Sequence, residues 1–405
     1  MKNWRAFWLG DGVQASRPII WIIGFFAFLN VYSMQSVLPM VMHDFQATPV
    51  QAGVTVGATV LAIALVSPFM GMLSDALGRK VIICSSMFAM TVPTAFIALS
   101  SSLDSLIVLR FLQGLAVPGI VVVLIAYLSE EFTGGDVAKM TTFYVGGTVM
   151  GGFFGRFLTG HAGHLLGWRG AYVTLAALNF LGAILVVWLL PASKNFVSHG
   201  DLTGALKTLK RHLSNRNLLA VCAMGFCVLF SLVGAFTYVN IYLAEPPFSL
   251  STAGLANIFS VYLLGVVVTP MAGRFIVRFG FLNSVLMTLA VSAIGLLLTL
   301  FPSLAMVIIG LAVCSCGVFI CQTATISHIA VNVTEGRSLA TGIYYLCYYA
   351  GGAVGSWVAG IAFEAWSWKG SVLSIIVFQI LAATIAVKFL RPRTVGQNAV
   401  LNQRS

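Results

Sequence analysis

The chain has 405 residues, of which 59% are hydrophobic and only 8% charged, with a mean hydropathy of +0.98. No soluble fold hides that much apolar surface, so the composition excludes a water-soluble protein. The formal net charge of +11 is spread between apolar segments instead of gathered into a patch, which argues against a nucleic-acid partner.

A spanning helix needs about 20 mostly apolar residues, at about 1.5 Å each, to cross a roughly 30 Å hydrocarbon layer. Twelve such segments follow one another: 19–42, 51–73, 81–100, 104–128, 138–161, 170–190, 218–243, 252–274, 283–301, 304–330, 337–362 and 369–390. Helices satisfy their own backbone in lipid, and the alternation of barrel strands is absent. The expected fold is therefore an all-α membrane protein with twelve transmembrane helices. The first run follows Lys2, Arg5 and Arg17 as a signal peptide would, but it is too long and lacks a small-residue cleavage site, so it reads as an uncleaved helix. With the amino terminus inside, eighteen basic residues fall on the inner side and two, Arg169 and Lys369, outside. Both termini are expected in the cytoplasm.

Span one carries Asn30 and Gln35 as polar candidates for a substrate path. The short loop after span two reads GMLSDALGRK over residues 71–80. There Gly71 and Gly78 permit close helix approach and a tight turn, Asp75 can face the positive end of a neighbouring helix, and Arg79 with Lys80 hold the loop inside. On span four Arg110, Gln113 and Gly114 share a face, and Glu130 and Glu131 close its inner end. Span five contains GGFFGRFLTG, residues 151–160, with Arg156 in its middle. An arginine inside a span costs between roughly 3 and 15 kcal/mol depending on how far it can snorkel. Arg110 and Arg156 both sit in the outer third of their spans, so each either lines the pathway or reaches out to the interface.

Residues 191–217 form the long polar interruption, and within DLTGALKTLKRHL the residues Leu202, Ala205, Leu206, Leu209 and Leu213 fall on one helical face opposite Lys207, Lys210 and Arg211. An amphipathic helix at the inner membrane surface is expected, with lipid as its partner. The second half offers Tyr238 and Asn240 on span seven, Gln322 and Thr325 on span ten, and tyrosines 344, 345, 348 and 349 on span eleven. These tyrosines pair at i, i+4 into two stripes, of which at most one can face a cavity, and Tyr345 and Tyr348 are counted as candidates. All seven cysteines lie in spans; Cys314 and Cys316 point to different faces of a helix, so neither a disulfide nor a metal site is expected.

The sequence repeats itself. GGFFGRFLTG matches GGAVGSWVAG at 351–360, carrying glycines 151, 152, 155 and 160 onto 351, 352, 355 and 360, an offset of 200. Trp168-Arg169-Gly170 likewise falls on Trp368-Lys369-Gly370, and Ala52-Gly53 falls on Ala253-Gly254 at an offset of 201. Two parallel six-helix units are expected, 1–190 and 218–405, joined by 191–217, with the substrate path between them. The twin of Arg156 is Ser356. The eleven acids all fall at span ends or in loops, and the spans offer no acid–histidine pair or metal-ligand spacing, so neither an enzyme nor a cofactor is expected.

The 71–80 loop resembles the loop between helices two and three of the major facilitator superfamily. With Arg110-Phe111-Leu112-Gln113-Gly114, with Leu38-Pro39 and Asp44-Phe45 ending span one, and with two repeats, the chain resembles the drug–proton antiporter and sugar-efflux branch, specifically bacterial arabinose-efflux-like members. The resemblance implies a monomeric inner-membrane antiporter that exports a small sugar-like or drug-like compound in exchange for a proton. It also implies a cytoplasmic latch of Gly71, Asp75, Gly78, Arg79 and Lys80 with Glu130 or Glu131, steadying the outward-open state. Two positions depart from the pattern: Gly155-Arg156 stands where the branch has Gly-Pro, and Val277 replaces Asp75 in the second copy, GRFIVRFGFL. Uptake or exchange of a small organic anion is the alternative, which two arginines facing one cavity would suit. A non-transporting sensor or enzyme on the same scaffold is the alternative from another class.

Overall fold

The computed structural model describes residues 13–133, 135–193, 202–333 and 337–390. The expected location of the two termini, and residues 194–201 of the connecting segment, lie outside the described residues. Among the described residues the secondary structure is helical and contains no strand.

Among the described residues eight helices are long and apolar enough to cross a membrane. The first half contains α1 (Val13–Leu29), a 3-10 turn (Ser33–Val37), α2 (Leu38–Phe45), α3 (Pro49–Leu77), α4 (Arg79–Ile97), α5 (Leu103–Glu131) and α6 (Gly135–Leu189). The connecting helix α7 (Leu202–Leu213) leads to α8 (Arg216–Ala244), α9 (Thr252–Ile258), a 3-10 turn (Phe259–Leu263), α10 (Leu264–Val268), a second 3-10 turn (Thr269–Met271), α11 (Ala272–Phe279), α12 (Phe281–Leu298), α13 (Leu304–Asn332) and α14 (Arg337–Phe389). The predicted segments do not appear as separate uniform rods. α6 joins two of them across a kink at Gly167, whose φ of 74° glycine adopts without strain, and α14 joins two across Trp366–Ser367. The first predicted span is bent by 44° between α1 and the residues from Ser33 to Phe45, and the eighth is broken into α9, α10 and α11.

Local chemistry sets the helix starts. Thr48 and Gln51 form a capping box before α3, with Pro49 in the first turn, and Ser102 with Ser105 does the same for α5. Asn215 accepts from the backbone N–H groups of Asn217 and Leu218 at the start of α8. The connecting helix packs on α8 and α14; its His212 is buried while Lys210 and Arg211 stay exposed.

The repeated glycines are contact points. A Cβ on Gly147, Gly151 or Gly155 of α6 would run into the backbone carbonyl of Trp21, Phe25 or Leu29 on α1. The same relation recurs where Gly351 and Gly355 of α14 meet the carbonyls of Phe226 and Phe230 on α8. Small residues four apart thus let two backbones touch, the packing that dispersion favours between helices in lipid.

The two halves meet toward the end of the bundle that carries residues 44–50 and 364, called the far end below. There the Val50 N–H donates to Glu364 Oε1 at 3.1 Å, and Gly160 and Gly163 of α6 lie against Ala256 and Thr252 of α9. Gly53 and Gly57 of α3 lie against Tyr238 and Ser356. The opposite end carries residues 71–80 and 130 and is called the latch end; Gly71, Gly78, Gly273 and Gly280 there have no atom close to where a Cβ would stand.

Past the apolar part of the first span, Asp44 accepts from Trp168 Nε1 at 2.7 Å and from Arg169 Nη1 at 2.6 Å. These bonds, the Trp168 one foremost, hold the Asp44 carboxyl below the usual carboxylate range. A depressed folded-state pKa gives stability that is present above the unfolded value of about 3.9 and lost as pH falls through the folded one. Melting temperatures of the wild type and Asp44→Asn measured down a pH series are therefore expected to differ near neutrality and to converge in acid. A gap that persists unchanged in acid would dismiss the charge as the cause.

Candidate functional site

The bend in the first span exposes carbonyls that a continuous helix would have used. Residues 30–32 form a turn, and Arg110 of α5 reaches into it. Arg110 Nη1 donates to Asn30 O at 3.0 Å and to Gln113 Oε1, Nη2 to Val31 O at 2.8 Å, and Nε to Thr55 O at 3.2 Å. A cation here also meets the negative end of the α1 dipole. Hydrogen bonds to a charged group contribute about 1.5–3 kcal/mol each, so the clasp offsets much of the cost of burying the guanidinium.

Asn30 and Gln113 complete a polar network inside the first half. The Asn30 and Asn179 amides exchange bonds at 2.9 and 2.7 Å, and Gln113 Nε2 donates to Thr94 Oγ1 at 2.7 Å and to Asn30 Oδ1 at 3.2 Å. Three helices, α4, α5 and α6, are tied by these side chains to the turn that follows α1.

Arg156 occupies a different place. Its Nε donates to Gln35 Oε1 at 2.7 Å, Nη1 to Gly152 O at 2.7 Å and Nη2 to the Tyr262 hydroxyl at 3.3 Å. Its guanidinium carbon lies 4.6 Å from the Tyr32 ring centre, 4.7 Å from that of Phe259 and 4.4 Å from that of Tyr262. Each such contact contributes about 0.5–2 kcal/mol. Tyr32 and Gln35 come from the bend of the first span, and Phe259 and Tyr262 from the 3-10 turn that breaks the eighth. Gln35 Nε2 also donates to Thr237 Oγ1 of α8 at 2.9 Å, another bond between the halves.

Arg110 is 0% and Arg156 1% exposed, which overturns the alternative that either snorkels to the interface. The two arginines have different surroundings. Arg110 is enclosed by first-half groups, whereas Arg156 sits on the boundary.

The second-half candidates are dispersed. The Tyr238 hydroxyl donates to Ser356 O, where it packs beside Gly53 and Gly360. Asn240 Nδ2 donates to Phe236 O at 2.6 Å, and its buried Oδ1 has no partner among the described residues. Gln322 is half-buried on α13, and Thr325 shares a hydrogen with the Tyr344 hydroxyl at 2.8 Å. Tyr345 stacks on Tyr349, and Tyr344 on Tyr348. Both stripes reach toward the first half: Tyr348 and Tyr349 lie near Tyr32, and Tyr345 near Tyr144. A cavity of about 490 Å³ opens at the latch end between Asn215, Phe281, His328 and Asn332, with the His328 ring tilted against that of Phe281.

At the latch end Arg79 pairs with Asp75 at 2.5 Å and with Glu130 at 2.6 Å, and also donates to Ser74 Oγ. The acid from the end of α5 in this cluster is Glu130. Gly78 turns the chain with φ 93°, a conformation that side-chain-bearing residues rarely adopt, and Lys80 is half-buried beside it.

Tyr32, Thr94, Asn179, Thr237, Phe259 and Tyr262 were not foreseen, because nothing in the residue pattern marks where a span will break. Two uncharged turns became informative only when they met around one arginine.

Residues 20–330 and 245–404 match the family model described as Major Facilitator Superfamily. The chain is 30% identical over 361 residues to the uncharacterized MFS-type transporter YybF of Bacillus subtilis (strain 168), covering 89% of each chain. It is 27% identical over 372 residues to the inner membrane transport protein YnfM of Escherichia coli (strain K12), covering 91% of this chain and 88% of that one. Among solved structures, a bacterial homolog of the human lysosomal transporter Spinster, in an inward-facing and unoccupied conformation, superposes with a TM-score of 0.76 at 15% identity over 94% of this chain and 98% of that one. Two halves of apolar helices, broken spans meeting at a buried arginine, and a family model matched along the chain have one reading: this is a membrane transporter of the major facilitator superfamily.

Proposed function

We propose that the chain is a secondary active transporter that exports a small organic compound, drug-like or sugar-like, across the bacterial inner membrane by alternating access. On this reading twelve spans form two six-helix units, 1–190 and 218–405, joined by the linker 191–217, both termini are cytoplasmic, and the monomer is the working unit. One observation carries the proposal: a bent span from one half and a broken span from the other converge on Arg156 at the boundary between the halves. Discontinuous helices near mid-bundle, where irregular backbone borders a cavity, are the recurring device by which transporters of this kind hold cargo.

Contacts between the halves at the far end support a state closed outside and open toward the latch end. The Arg79 cluster is formed in this state too, so we assign it the role of stiffening the first half throughout the cycle, beyond the outward-open state alone. Coupling to a proton rests on the resemblance of residues 71–80 and 110–114, since the described acids lie at helix ends.

Flux of ethidium and of labelled arabinose into inside-out and right-side-out vesicles, with and without a proton gradient, tests the proposal. Export predicts gradient-driven accumulation in inside-out vesicles. Accumulation confined to right-side-out vesicles would reverse the direction, and flux equal to that of empty vesicles for every compound tried would remove the transport reading.

A further inference from the structure

Arg156 is a full positive charge, buried, with no ion-pair partner among the described residues. A guanidinium has five N–H donors. Its three bonds, to Gln35, Gly152 and Tyr262, leave two donors on the Nη groups unspent. There is room beside it, since a Cβ at Gly152 would meet no atom closer than Nη1 at 3.6 Å. The repeated scaffold does not need the charge, because its twin is Ser356, packed against Gly57.

The surroundings of Arg156 divide by origin. Gln35, Gly152 and Tyr32 belong to the same half as the arginine and travel with it. Phe259 and Tyr262 belong to the other half and are lost when the halves part at the far end. An aromatic ring and a phenol hydroxyl are weak partners for a cation compared with a carboxylate. Once they withdraw, the cation faces the gap between the halves beside the flat Tyr32 ring, with donors free for a planar two-oxygen group.

We propose that Arg156 is the ligand for the anionic group of the cargo, a carboxylate on a compact aromatic body, and that Tyr262 and Phe259 hold its place when the far end is shut. The carboxylate and the Tyr262 hydroxyl compete for Nη2, so cargo binding and far-end closure by this contact exclude each other. This rests on the reading that cargo binds at the boundary between the halves, and it narrows that cargo from drug-like compounds in general to organic anions.

The test uses the full chain in nanodiscs, with benzoate as the probe and benzamide as its uncharged counterpart, read by calorimetry. Wild type is expected to bind benzoate at least about tenfold more tightly than benzamide, and Arg156→Gln to lose about tenfold or more of the benzoate affinity. Tyr262→Phe frees Nη2 and is expected to tighten benzoate binding by about threefold or more. Benzoate binding equal to benzamide binding, or unchanged in Arg156→Gln, would overturn the proposal. Should Arg156→Gln not fold, Tyr262→Phe alone is decisive, since unchanged or weaker binding there refutes the competition. In vesicles, flux of an uncharged compound that is equal in wild type and Arg156→Lys sinks the anion proposal and leaves transport standing. Vesicles that move nothing while benzoate still binds through Arg156 remove the transport reading and leave the site.

Discussion

Replacing Arg110 by Ala is expected to destabilise the fold strongly and not merely to stop activity. The substitution strands Val31 O and Gln113 Oε1, and it removes one bond each from Asn30 O, which still accepts from Ser33 Oγ, and from Thr55 O inside α3. Each buried group left without a partner costs about 1–3 kcal/mol, so these two alone cost about 2–6 kcal/mol against a typical stability of about 5–15 kcal/mol. Arg110→Lys keeps the charge but presents a point-like head in place of a fork, and should recover only part of the loss. Size-exclusion profiles and melting temperatures in detergent measure this directly. A normal melt combined with lost flux would return Arg110 to the transport path, where the residue pattern alone had placed it.

The second large effect belongs to the latch. Arg79 is 5% exposed and sits between two carboxylates and a serine hydroxyl. Arg79→Ala leaves Asp75 and Glu130 facing each other without the cation that joins them. Those carboxylate side chains are 34% and 24% exposed, so solvent screening places the cost at about 1–3 kcal/mol, between the surface and buried limits. Glu130→Gln is expected to cost less, and Asp75→Asn least, because each leaves one ion pair intact. Turnover in vesicles should fall in the same order while ligand affinity at the central site is retained. Turnover unaffected by Arg79→Ala would strip the cluster of any part in the cycle.

Arg110 and Arg156 show how far the residues could be read unaided. Both were visible as charges in apolar segments, and the cost of such a charge made each of them significant. Depth along the helix could be counted, yet depth does not say which neighbours surround a side chain. Arg110 closes on carbonyls released by a bend, and Arg156 closes on the opposite half; neither the bend at residues 30–32 nor the break at 259–263 has a proline or glycine signal that would place it. The four glycines of the repeat were legible for the opposite reason. Close packing needs a missing side chain at fixed spacing, and a missing side chain is written in the sequence. Glu130 and Glu131 were equally good latch acids on paper, and rotation of the last turn of α5 brings Glu130 to Arg79.

Composition, segment length and internal repetition determined by themselves that this chain is a helical membrane protein built twice over, because the hydrophobic thickness of a bilayer and the backbone's need for internal hydrogen bonds leave few other solutions. Residues 71–80 carried the family. Which buried cation holds the fold and which one meets the boundary was decided only in three dimensions, because hydrogen-bond donors find their acceptors across helices that are far apart in sequence. Arg110 pairs with residues 55 to 80 positions away, and Arg156 with one 106 positions away in the other half.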